Sequence, residues 1–137
     1  MFIGVERVDE LVAALPAGVT VTVDNRAELG RDAQTRAFWD RAPVDLFLSN
    51  HPFHHRAEAN RRMVPFAGID RLPVLACGDL AVFKAFYARP KDAVDVAAMV
   101  TAGALDLVTL ERTVAGYLGD NRTPFFTRVR EFVTESG

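Results

Sequence analysis

The sequence predicts an α/β protein, of the α+β kind: a small mixed sheet with helices, followed by a C-terminal helical bundle. Three observations lead there. Residues 1–76 alternate short strand-like runs with helical spacing, residues 77–137 carry helical spacing almost throughout, and the 137 residues match the size of one domain with no linker between the two parts. Half of the residues are hydrophobic and the formal net charge is only −2, which excludes a disordered chain. A single cysteine, Cys77, excludes a disulfide framework, and near-neutrality leaves no footprint for nonspecific nucleic-acid binding.

The elements follow in order. Phe2-Ile3-Gly4-Val5 is a short apolar run, and Glu6, Arg7, Asp9 and Glu10 interrupt any signal-peptide core behind it. The longest uncharged apolar stretch, Val96 to Leu105, is about half a membrane span, so the expectation is a soluble, cytoplasmic protein. Val8, Leu11, Val12 and Leu15 recur at helical spacing until Pro16-Ala17-Gly18. Val19, Val21 and Val23 alternate with Thr20 and Thr22 as a strand, and 24–40 reads as a loop or as an exposed strand plus turn. Phe38 and Trp39 anchor that segment to the core. Val44-Asp45-Leu46-Phe47-Leu48 reads as a central strand and His51 to Arg62 as a polar helix. Met63-Val64-Pro65-Phe66 and Leu72-Pro73-Val74-Leu75 flank Gly68-Ile69-Asp70 as two strands, which their prolines confine to edges. Helices then run from about Asp79 to Tyr87, from Pro90 to Gly103, from Asp106 to Gly119 and from Thr123 to Val133. Phe125 and Phe126 pack the last of them.

Two places combine charge with apolar surroundings. Strand alternation puts Asp45 and Phe47 on one face and Val44, Leu46 and Leu48 on the other. Asp45 then either faces solvent, pairs with a neighbouring arginine, or serves as a metal ligand in a cleft. Lys84 lies inside Leu80-Ala81-Val82-Phe83-Lys84-Ala85-Phe86, as a solvated lysine or as a point charge for phosphate. Asp92 and Asp95, three apart, share a helical face, and Asp92 sits near a helix N-terminus, which favours a carboxylate. Other signals are weaker. His51 and His55 have the i, i+4 spacing of a metal pair but no third ligand, so a polar surface helix is the better reading. Arg56, Arg61 and Arg62 form a local basic patch on a solvated face. Cys77 reads as a small packed side chain.

In order and spacing, Val44-Asp45-Leu46, Phe83-Lys84-Ala85 and Lys91-Asp92-Ala93-Val94-Asp95-Val96 resemble the downstream part of the minimal nucleotidyltransferases. The likeness is to the abortive-infection-toxin branch of that superfamily and its bacterial relatives, and it covers about residues 1–118. It implies a nucleotidyltransferase-like fold and transfer of a nucleoside monophosphate from an NTP to a hydroxyl on RNA, protein or a small molecule. It makes Asp45 the third metal carboxylate, a ligand of Mg²⁺ or Mn²⁺. Lys84 would contact phosphates, and Asp92 and Asp95 would orient Lys84 or act on the acceptor side, with Asp45 and Lys84 facing one hollow. The family's upstream Gly-Gly or Gly-Ser turn and its two carboxylates one residue apart have no counterpart here. Phe2-Ile3-Gly4-Val5 reads as the tail of the strand that would carry them, so that the start lies inside a longer gene or the protein is a shortened form. One acid cannot supply the ligands for two ions, so the metal site is weak or lost and transfer is slight or absent. An uncovered sheet edge would favour a homodimer. The rival reading is a non-catalytic interaction protein, such as a toxin–antitoxin partner.

Overall fold

Thr22 is where the first strand gives way to a helix. Its hydroxyl accepts from the Asn25 N–H at 3.1 Å, while the Asn25 carbonyl oxygen accepts from the Thr22 N–H at 2.9 Å. This reciprocal capping box satisfies two backbone donors that would otherwise lack partners. The strand β1 therefore stops at Val19–Thr20, after helix α1 (Val8–Ala14), and Val23 opens helix α2 (Val23–Asp32), where it is 83% exposed. In the polar segment 24–40, expected as a loop or as an exposed strand plus turn, a strand and turn do form from Gln34 to Asp40, but the part before them is a helix. Its single buried residue, Leu29, is too slight an apolar signal for periodicity to detect.

The computed structural model describes residues 7–49 and 51–136, and the apolar run Phe2–Val5 lies outside them. The chain is a mixed α/β protein with two small antiparallel sheets and a helical C-terminal part. It gathers into two compact units, residues 1–59 and 60–137. Among the described residues no helix is long and apolar enough to cross a membrane.

In the first unit, Ala33 ends α2 in the left-handed region, and the chain returns as β2 (Gln34–Trp39), turns at Asp40-Arg41 and continues as β3 (Ala42–Phe47). The sheet order is β1-β2-β3, antiparallel throughout. Among the described residues the strand carrying Asp45, expected as central, lies at one end of this order, and β2 takes partners on both sides. The facing is as the alternation requires: Leu46 and Leu48 are buried and Asp45 is exposed. Leu29, Ala33, Ala37, Leu46 and Leu48 form the core, with Leu11, Leu15 and Val19 packed against it. Phe38 and Trp39 stay about half exposed, so they anchor the strand only partly. The Trp39 indole lies over Gly18, where a Cβ would come within 2.7 Å of Nε1. Helix α3 (Pro52–Ala59) completes the unit.

The second unit opens with a hairpin, β4 (Arg62–Phe66) and β5 (Ile69–Val74), paired antiparallel. Ala67 and Gly68 both take positive φ, the pattern of a tight two-residue hairpin turn. Four helices follow: α4 (Cys77–Tyr87), α5 (Pro90–Thr101), α6 (Leu107–Leu118) and, after a 3₁₀ turn, α7 (Thr123–Ser136). Their boundaries match the sequence signals, with Pro90 in the first turn of α5, Asp106 capping α6 through the Thr109 N–H at 2.9 Å, and Gly119 ending α6 at positive φ. Buried alanines at 81, 85, 93 and 97 let the helices approach closely. Val96, Leu110, Val114, Phe125, Phe126 and Val129 fill the interior.

Candidate functional site

Helix α4 ends at Ala88, whose φ of 52° turns the chain sharply into α5. That corner gathers the charged residues singled out in the sequence. The Arg89 guanidinium donates through Nε to Asp92 Oδ2 at 2.7 Å and through Nη2 to Oδ1 at 3.1 Å, and the Arg89 backbone N–H donates to Oδ2 at 3.0 Å. The Lys84 ammonium lies 2.7 Å from Asp95 Oδ2 and 3.6 Å from Asp92 Oδ1. The Asp92 side chain has no exposed surface, whereas those of Lys84 and Asp95 keep 19% and 32% of theirs. Burial pushes the Asp92 carboxyl up. The Arg89 guanidinium, the Arg89 N–H and the Lys84 charge outweigh that and hold it below its ordinary value of 3.8. The i, i+3 spacing on α5 thus brings both carboxylates to one ammonium. A cation so neutralised is a weaker point charge for a phosphate than a bare lysine would be.

Asp45 belongs to the other unit. It lies opposite Arg36 in the β2–β3 register, and Arg36 grips both of its oxygens, Nε to Oδ1 at 2.7 Å and Nη2 to Oδ2 at 3.1 Å. Both side chains are solvent-accessible, at 57% and 43%. The cross-strand partner was recoverable from the sequence once the turn was placed at Asp40-Arg41, since that register sets 36 against 45.

Asp45 as it stands does not suit the Mg²⁺ or Mn²⁺ that the resemblance implies. Its carboxylate is engaged by a guanidinium, and among the described residues no group of three His, Cys, Asp or Glu is arranged to hold a metal ion. The histidines do something else. His51 Nδ1 accepts from the Phe53 N–H at 3.1 Å at the start of α3, and the His51 and His54 rings lie 6.0 Å apart. Burial, with His51 and His55 nearby, lowers the His54 pKa. Two features went unread in the sequence. Asp79 is 7% exposed and its Oδ2 has no hydrogen-bond partner. Arg122 donates to the Ala85 carbonyl at 2.9 Å and to the Phe86 carbonyl at 2.7 Å, closing the C-terminal end of α4. No local pattern announces a contact across 37 residues.

No protein-family model, no curated protein and no solved structure matches the chain.

Proposed function

We propose that this is a cytoplasmic, nucleotidyltransferase-like protein with little or no transfer activity of its own. The order of Asp45, Lys84, Asp92 and Asp95 supports the kinship. The observation that carries the loss of activity is the forked Arg36–Asp45 pair. A metal-binding aspartate must offer its lone pairs to the cation, and here they accept from a guanidinium. Lys84, held between two carboxylates, would meet a triphosphate only against their repulsion. The test incubates the chain with labelled nucleoside triphosphates, Mg²⁺ or Mn²⁺, and tRNA or protein acceptors. The expected result is background labelling, unchanged by Asp45→Asn. Robust transfer that falls about tenfold or more in Asp45→Asn would overturn the proposal.

A second reading, a non-catalytic interaction protein, is favoured by the β4–β5 hairpin, where Met63, Phe66 and Ile69 are 42%, 66% and 50% exposed. Clustered exposed apolar side chains of this kind mark contact surfaces. Pro65 and Pro73 each remove a backbone donor from one strand, which disfavours strand addition and favours side-chain contact. In this reading two copies associate through the hairpin as a symmetric pair. Sedimentation equilibrium at micromolar concentration is then expected to show a dimer that Phe66→Ser weakens. A monomer under these conditions counts against it.

A further inference from the structure

Arg122 is fixed by neutral groups alone. Besides the Ala85 and Phe86 carbonyls, its Nη1 lies 3.5 Å from the Asn121 carbonyl, and no described carboxylate lies within ion-pair distance of it. Its charge is positioned but not cancelled. It lines a cavity of about 270 Å³ together with Arg89, Arg128, Asn121, Ala88 and Phe125. Arg128 stacks over the Phe132 ring at 5.3 Å, and its nearest acid, Glu131, is 3.9 Å away. Arg89 brings Asp92 with it, but that carboxylate is fully buried and is not part of the wall. No Asp or Glu lines the cavity. The first turns of α5 and α7 also border it, at Pro90 and Pro124, and helix N-termini add to the positive potential.

We propose that this hollow binds a phosphate monoester. Arg122 and Arg128 receive the dianionic phosphate, with Arg89, whose charge Asp92 largely offsets, as a secondary contact, and the organic part lies against Ala88 and Phe125. Phosphate is favoured over a carboxylate because several planar cations converge: Arg128 can fork onto tetrahedral oxygens, and Arg122 and Arg89, whose Nε and Nη2 are engaged, reach others through their remaining N–H groups. The cavity exceeds the volume of a bare phosphate ion, which leaves space for the ester group. The site contains none of the atoms that the proposed nucleotidyltransferase kinship assigns to metal or triphosphate. It therefore stands or falls separately from that reading.

The test is a backbone-amide NMR titration of the full chain at constant ionic strength, with inorganic phosphate, ribose 5-phosphate and sodium chloride as probes. Saturable shifts are expected around Ala88–Ala93 and Asn121–Phe125 with the phosphates and not with chloride. Ribose 5-phosphate is expected to bind more tightly than inorganic phosphate. Arg128→Gln alters a side chain that is 59% exposed, so the fold is expected to persist while binding weakens about fivefold or more. Three outcomes would overturn the proposal: shifts that track ionic strength alone, saturation centred elsewhere, or affinity unaffected by Arg128→Gln. Equal affinity for the two phosphates would overturn the ester assignment.

Discussion

Asp92→Ala is expected to destabilise the chain by about 4 kcal/mol, read as a fall in the urea midpoint at unchanged slope. The side chain has no exposed surface and makes three hydrogen bonds to Arg89, two to the guanidinium and one to the backbone N–H that begins α5. Alanine removes the cap, worth about 1 kcal/mol. It also opens a polar hole beside Lys84, which keeps only Asp95. Asp92→Asn fills the same volume and can still accept from the Arg89 N–H, so about half that loss is expected. The pH dependence has a definite sign. The folded carboxyl titrates below its ordinary value of 3.8, so the contribution is fully present above that value and is lost as pH falls through the lower, folded one. Acid titration of the wild type is therefore expected to show a steeper loss of stability below about pH 4 than Asp92→Asn shows.

Phe126→Ala is expected to cost about 4 kcal/mol, seen in the same denaturation experiment and in the thermal midpoint by circular dichroism. Phe126 is 2% exposed and packs edge-on against Phe125, with ring centroids 5.3 Å apart at 85°. On α5, which packs against α7, the buried Ala93 and Ala97 have no bulk with which to refill the space. The void would persist, and the loss follows both the missing apolar transfer and the residual cavity. Phe126→Leu keeps most of the volume and is expected to cost less than about 1.5 kcal/mol. A loss as large as alanine's would mean that ring geometry, rather than volume, holds α7 in place.

The helical half was legible because its signals are local and redundant. Pro90, Asp106 and Gly119 each mark a boundary by a mechanism that acts within one turn, and the apolar spacing between them agrees. The first half was harder. Helix α2 buries only Leu29, so its start rests on Thr22 and Asn25 exchanging hydrogen bonds, a signal periodicity does not contain. Alternation separated Asp45 from Leu46 and Leu48 but left open whether it met solvent, an arginine or a metal, and nothing within 44–48 says how many neighbours the strand has. Helical spacing put Asp92 and Asp95 on one face, while their link to Lys84 was only what the resemblance implied. Arg122 and the cavity it lines were not legible, since they depend on where a helix far along the chain comes to rest.

That distance has a consequence for synthesis. The carbonyls at the end of α4 receive their donor from Arg122, and the most extensive helix–helix packing of the second unit joins α5 to α7. A ribosome that has made residues 60–121 has therefore produced helices whose closing contacts are still to be translated. The core of the first unit, by contrast, is formed from residues between 29 and 48 and can settle much earlier. The nascent second unit thus carries unsealed apolar surface for longer, and it is the part of the molecule with most to gain from chaperone shelter.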